Sequence, residues 1–217
     1  SVLLGIGDGS FQQAVEFPAG TTGVALAAAD LNGDSVPDLV VANYGSNNIS
    51  VLLGNGDGSF APAQSFAAGS FPFSIAVADL NHDGIPDLLV GNAGSTGFSV
   101  LIGNGDGTFQ TQVMHDVKGG QFAIALGDFD GDGETDVAVA VSFLAKISIL
   151  RGTGTGDFEP ATDIQVQDFP LSVIAADFNA DSSPDLAAVN YGTGVVSVLL
   201  NVPHAAAEVR NHWGKRN

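Results

Sequence analysis

One fifteen-residue string returns four times along this chain at a fixed interval. It reads ADLNGDSVPDLVVAN at Ala29–Asn43, ADLNHDGIPDLLVGN at Ala78–Asn92, GDFDGDGETDVAVAV at Gly127–Val141 and ADFNADSSPDLAAVN at Ala176–Asn190. The first Asp of each falls at 30, 79, 128 and 177, a period of 49 residues without insertion. A second marker keeps the same period: LLGIGDGSF, LLGNGDGSF, LIGNGDGTF and LRGTGTGDF, ending at Phe11, Phe60, Phe109 and Phe158. Two markers in one period define a repeat array, with repeats starting at residues 1, 50, 99 and 148, a partial strand at 197–201, and a non-repeat tail or linker at 202–217.

Within a repeat every apolar run is short. Ser74–Leu80, Asp87–Asn92, Phe98–Ile102 and Phe109–Val117 are rich in Val, Ile, Leu and Phe and are separated by Gly, Asn and Asp, which predicts four β-strands. Val24–Ala29 has helical propensity, but Gly23 and Asn32-Gly33 bracket it too tightly for a helix. The runs are continuously apolar, which predicts sheets buried on both faces. Four-stranded antiparallel blades stacked around an axis satisfy this, and the Ala-rich first strand suits a crowded axis. The predicted fold is therefore an all-β propeller. A β-sandwich is the competing all-β fold, and it gives no reason for a strict period.

Between the first two strands each repeat carries Asp-x-(Asn/Asp)-x-Asp-x-x-x-Asp. The four sets are Asp30, Asn32, Asp34, Asp38; Asp79, Asn81, Asp83, Asp87; Asp128, Asp130, Asp132, Asp136; and Asp177, Asn179, Asp181, Asp185. Positions one, three and five can turn inward on a wrapped backbone. Position seven (Val36, Ile85, Glu134, Ser183) then offers its carbonyl oxygen, and the ninth-position Asp closes the site with both oxygens. That makes about six oxygen ligands, the lower end of what Ca²⁺ takes. The absence of His and Cys from the set disfavours zinc and copper, and Mg²⁺ demands a tighter octahedron. Position twelve is Val41, Val90, Val139 or Ala188, so the EF-hand Glu is missing. The plainer alternative is that these residues merely make good turns.

Charge separates the two readings. Thirteen of the 24 acidic residues are aspartates of these loops. Two carboxylates ~4 Å apart repel by about 4 kcal/mol at an effective dielectric of 20, so three or four per loop call for a cation. About four Ca²⁺, one per repeat, are expected, with the third loop, which has four Asp, the strongest. The first and fourth loops carry Ser35 and Ser182 where the others have Gly, which predicts less favourable turns there.

With only six Lys and Arg, the chain repels phosphate backbones and acidic membranes, which argues against nucleic-acid partners. No apolar run reaches the ~20 residues of a membrane span, and there are no cysteines. Gly-x-Gly-Asp-Gly at 54–58 and 103–107 lacks both the full dinucleotide pattern and a following helix, so it reads as a hairpin turn. No catalytic constellation stands out: His82, His115, His204 and His212 share no repeat phase, and no Ser is placed against a His. Tyr44 and Tyr191 do share a phase, as a sugar-stacking pair or, more plainly, as rim packing. The only Trp, Trp213, is in the tail.

The Asp loops and the GNGDGSF turns together resemble FG-GAP/VCBS repeats, the unit of integrin α-subunit propellers. The resemblance covers residues 1–201. It implies a ring, usually of seven or eight blades, with Ca²⁺ in the loop between the first two strands of each blade. It further implies a secreted or cell-surface protein working as a noncatalytic adhesion or binding module. A lectin of the same fold, or an accessory domain of a secreted carbohydrate-active enzyme, is the alternative. The expected partner is an unknown protein or glycan. Ser1–Leu4 and Ser197–Leu200 are the same strand of the repeat, so the ring is expected to be completed by further blades or by pairing with another copy.

Overall fold

The β-branched runs and the turn residues between them sort the chain into sheets of one design. The computed structural model describes residues 1–202, with backbone alone for Gln121 and Phe122; apart from a 3-10 turn at Ser142–Leu144, its regular structure is all strand. Blade I comprises β1 (Gly23–Ala29), β2 (Asp38–Asn43), β3 (Asn48–Leu52) and β4 (Gln64–Ala67). Blade II comprises β5 (Pro72–Ala78), β6 (Asp87–Asn92), β7 (Gly97–Leu101) and β8 (Val113–Asp116). Blade III comprises β9 (Gln121–Gly127), β10 (Asp136–Val141), β11 (Lys146–Leu150) and β12 (Thr162–Gln165). Sheet IV has three strands among the described residues: β13 (Pro170–Ala176), β14 (Asp185–Asn190) and β15 (Val195–Leu199). Each sheet is an antiparallel meander in chain order. Ahead of blade I, residues 1–17 form a hairpin held by Val2 opposite Val15 and Gly5 opposite Phe11.

The blades stack in sequence, with β1 beside β5, β5 beside β9 and β9 beside β13. This places the Ala-rich first strands around the axis, where small side chains let the sheets converge. Three apolar clusters fill the spaces between successive sheets. They are built around Ile49 and Val51, Phe98 and Val100, and Ile147 and Ile149.

Burial departs from the expectation of sheets covered on both faces. The middle strands β6, β7, β10 and β11 are fully buried, but β1 alternates between exposed and half-buried, and β4 and β8 are mostly exposed. The inner strand faces the axis and the fourth lies at the rim, so only the two between them are covered on both sides. The fourth strand is also shorter than the apolar run that predicts it. Phe109 is held by an isolated bridge to Gly103, and the ladder resumes only at Val113. Phe109 serves the turn, and its ring packs in the cluster between blades I and II.

The Gly-x-Gly turns after the third strands lock neighbouring blades together. Gly107 N–H donates to the Leu31 carbonyl of blade I at 3.0 Å, and Gly156 N–H to Leu80 of blade II at 3.1 Å. Gly107 has φ +80, and a Cβ there would sit 2.6 Å from Leu53 of the preceding blade, so both the turn and the stacking require glycine. The tail expected at residues 202–217, with His204, His212 and Trp213, lies outside the described residues from 203 onward.

Candidate metal centres

All four Asp loops fold alike, at one end of the array. The first Asp accepts N–H groups from the residues that follow it. In loop I, Asp30 Oδ1 takes Gly33 N–H at 2.8 Å and Asp34 N–H at 3.1 Å, and Oδ2 takes Ser35 N–H at 2.7 Å. Asp79, Asp128 and Asp177 bind their own fifth-following residue in the same way. Burial raises the Asp30 carboxyl, yet these N–H groups outweigh it and hold the group below the usual carboxylate range. At Asp177 the Ser182 N–H leads in the same direction.

The wrap requires left-handed backbone at positions four and six. Position six has φ +66 at Ser35, +81 at Gly84, +93 at Gly133 and +72 at Ser182. The two serines singled out in the sequence therefore complete their turns as the glycines do. Position four is left-handed too, at Gly33, His82, Gly131 and Ala180.

The ninth-position Asp residues (Asp38, Asp87, Asp136, Asp185) are fully buried. Each spans two segments of its sheet. Asp87 Oδ2 accepts Leu80 N–H at 2.9 Å and Oδ1 accepts Gly103 N–H at 2.8 Å. Asp38, Asp136 and Asp185 do the same with Leu31 and Gly54, Phe129 and Gly152, and Phe178 and Asn201. This staple between the loop and the end of the third strand was not read from the sequence; a buried Asp beginning an apolar strand is its only signal there. A carboxylate oxygen has a second lone pair, so each ninth-position Asp retains capacity for a cation.

Loop III brings acids closest. Oxygens of Asp128, Asp130 and Asp136 lie within 4.8 Å of one another, an arrangement found in no other loop among the described residues. Oxygens this close together can be shared by one cation, as the oxygen ligands of Ca²⁺ are. The difference is position three: loops I, II and IV have Asn there. Asn32, Asn81 and Asn179 each donate Nδ2–H to the fifth-position Asp at 2.9 Å, replacing a repulsion with a hydrogen bond. In loop III, burial and then the Asp132 charge push Asp130 up, and burial pushes Asp136 up to about 6. Burial likewise raises Asp87. Asp132 stands apart from the trio, its Oδ1 accepting Glu134 N–H at 2.8 Å, as Asp34, Asp83 and Asp181 accept at Val36, Ile85 and Ser183.

Two neighbours of loop III were invisible in the sequence. Arg151 lies 3.6 Å from Asp130 and 2.7 Å from Glu159, at the repeat position occupied by Leu53 and Ile102 in the preceding blades. His82 of loop II meets Glu134 of loop III at 2.6 Å, and that hydrogen bond raises the imidazole. The two tyrosines lie at the opposite end of the sheets. Tyr191 is 73 % exposed, while Tyr44 stacks on Phe71 at 4.8 Å.

The FG-GAP-like repeat family matches this chain at residues 1–41, 30–90, 86–139 and 128–188, spans that each take in at least one Asp loop or turn. The chain belongs to that family. No curated protein sequence matches it. Among solved structures, the FG-GAP-like array is similar to an Agrocybe aegerita lectin described as recognising non-reducing terminal N-acetylglucosamine. The match has 23 % identity and a TM-score of 0.55, over 80 % of this chain and 48 % of the lectin. It is also similar to BBS1N in complex with ARL6DN (18 %, TM-score 0.55, 80 % and 47 %). A Lactobacillus plantarum protein matches at 13 % identity and a TM-score of 0.57, over 94 % and 62 %. At these identities the likeness is one of fold, and the chain spans about half to three-fifths of each neighbour.

Proposed function

We propose that the Asp loops bind Ca²⁺ and that the array is a noncatalytic, calcium-stabilised propeller serving as an extracellular binding or adhesion module. The observation that carries this is the Asp128, Asp130 and Asp136 cluster, whose oxygens converge within 4.8 Å of one another and two of whose carboxyls burial pushes up. The donor set is all oxygen, which suits a hard cation. The same loop recurs in every sheet, so the sites serve the fold evenly, as structural ions do. Family membership supports the extracellular setting.

Calorimetric titration of the chelator-treated protein with CaCl₂ tests this reading. Saturable binding is expected, strongest at loop III, and Asp130→Asn should weaken that strongest site about tenfold, a loss of ~1.4 kcal/mol. Arg151→Gln should act oppositely, raising affinity there several-fold, because the guanidinium competes with the ion for Asp130. Titrations without heat of binding, or unchanged by either substitution, would count against the proposal.

A glycan-binding reading has one observation in its favour. Tyr191 and Phe143 are 73 % and 65 % exposed on either side of Phe169, presenting aromatic faces at the end away from the Asp loops. Sugars stack on such faces. Binding in a glycan screen, lost on Tyr191→Ala, is the outcome this second reading requires.

A further inference from the structure

Each Asp loop is tied to the next by hydrogen bonds that pass through the ninth-position Asp. In loop I, Leu31 stands between Asp30 and Asn32. Its N–H donates to Asp38 Oδ2 at 2.8 Å, and its carbonyl accepts Gly107 N–H from blade II at 3.0 Å. The turn that holds Gly107 begins at Gly103, whose N–H donates to Asp87 Oδ1 of loop II at 2.8 Å. One period later Leu80, between Asp79 and Asn81, donates to Asp87 Oδ2 at 2.9 Å and accepts Gly156 N–H at 3.1 Å. Gly152, at the start of that turn, donates to Asp136 Oδ1 of loop III at 2.8 Å.

The third junction makes the same link with a single residue. Phe129, between Asp128 and Asp130, donates its N–H to Asp136 Oδ2 at 2.7 Å. Its carbonyl accepts Asn201 Nδ2–H, also at 2.7 Å. Asn201 occupies the phase of Gly103 and Gly152, and its own N–H donates to Asp185 Oδ1 of loop IV at 2.7 Å. Hydrogen bonds and two short turns thus connect Asp38 to Asp185 through residues that belong to the Asp loops or grip them. Loops II and III meet a second time where His82 Nε2 contacts Glu134 Oε2 at 2.6 Å.

We propose that the four loops bind Ca²⁺ cooperatively, each occupied loop raising the affinity of its neighbours. The coupling rests on the reading of the loops as Ca²⁺ sites. With its free lone pairs engaged, the Asp185 carboxylate is fixed in place, and Asn201 with it. Asn201 in turn holds the peptide between Phe129 and Asp130, which sets where Asp128 and Asp130 stand. A loop whose neighbour is already ordered gives up less conformational freedom when it closes, so its own binding is tighter. The effect is reciprocal: loop III, once occupied, favours loop IV by the same factor. The first two junctions carry the coupling through Gly103–Gly107 and Gly152–Gly156 in the same way.

A double-mutant cycle at the third junction tests this. Asp181→Asn withdraws a carboxylate from loop IV. Asn201→Ala removes the Nδ2–H link and keeps the backbone N–H to Asp185. Calcium titrations of the full chain, followed by NMR at the Gly131 and Gly133 amides, read loop III alone. Asp181→Asn should weaken Ca²⁺ binding at loop III about fivefold, although it lies in another sheet. With Asn201→Ala already present, the same substitution should leave loop III unchanged. Asn201→Leu, of similar size and without a donor, repeats the test where truncation disturbs the fold. A loop III indifferent to Asp181→Asn, or weakened equally with and without the Asn201 side chain, overturns the coupling and leaves the calcium reading standing. Gly131 and Gly133 signals that do not respond to calcium in the wild type overturn that reading, and the coupling with it.

Discussion

Ala180 holds φ +62, where the Cβ of an L-residue crowds the following carbonyl at a cost of roughly 1–2 kcal/mol. Its counterparts Gly33 and Gly131 adopt the same backbone without that cost. Ala180→Gly is expected to raise stability by about 1 kcal/mol, read as a higher urea midpoint with unchanged slope. Asp87 gives the opposite case. Removing its carboxylate strands the Leu80 and Gly103 N–H groups in the interior, each at a cost of ~1–3 kcal/mol. Asp87→Ala should therefore lower stability by about 2–4 kcal/mol even in chelator, where a residue acting only as a metal ligand would show no effect. The ninth-position Asp was legible in the sequence as a recurring acid but not as a staple. Its partners at Leu80 and Gly103 are backbone groups, which carry no residue-type signature, and one of them lies 16 residues away.

His115 on β8 shows what an element meets only after folding. The ring stacks on Phe98 of β7 at 5.2 Å and meets Phe158 of blade III edge-on at 5.3 Å, while its Nε2 is buried without a partner. Burial holds the imidazole below its ordinary value, opposed by the Asp157 carboxylate 3.7 Å from Nδ1. With the folded pKa depressed, the unfolded chain binds more protons as pH falls below about 6.5. Stability contributed by neutral His115 is whole above that pH and is lost progressively down to the folded pKa. His115→Phe keeps the stack and should flatten this part of the profile, so that melting temperature falls less between pH 7 and pH 5 than in the wild type. The same element shows where apolar runs mislead. Phe109–Val117 reads as one strand, but its first residues serve the turn and only Val113–Asp116 pairs. Spacing identified the second strands correctly, because Pro precedes three of them and the staple Asp begins all four.

At the scale of the molecule, the 49-residue period carried nearly the whole fold, since similar strings at one fixed interval build sheets of one design. It could not show what brings different repeats together. His82 of blade II reaches Glu134 of blade III across 52 positions through blade stacking, and within blade III the sheet brings Arg151 to Asp130 across 21. The convergence of Asp128, Asp130 and Asp136 is likewise a product of the folded loop, although the fourth Asp that sets loop III apart was visible from the start. Clustering thirteen aspartates in four loops of a chain with formal charge −18 leaves the fold with a repulsion that bound cations would relieve. The direct measurement is the melting temperature in calcium and then in excess chelator. One site held at 100 times its dissociation constant contributes about 2.7 kcal/mol, so chelation should lower melting by at least about 5 °C and added calcium should restore it. A melting temperature indifferent to both would contradict the claim that cations hold the Asp loops together.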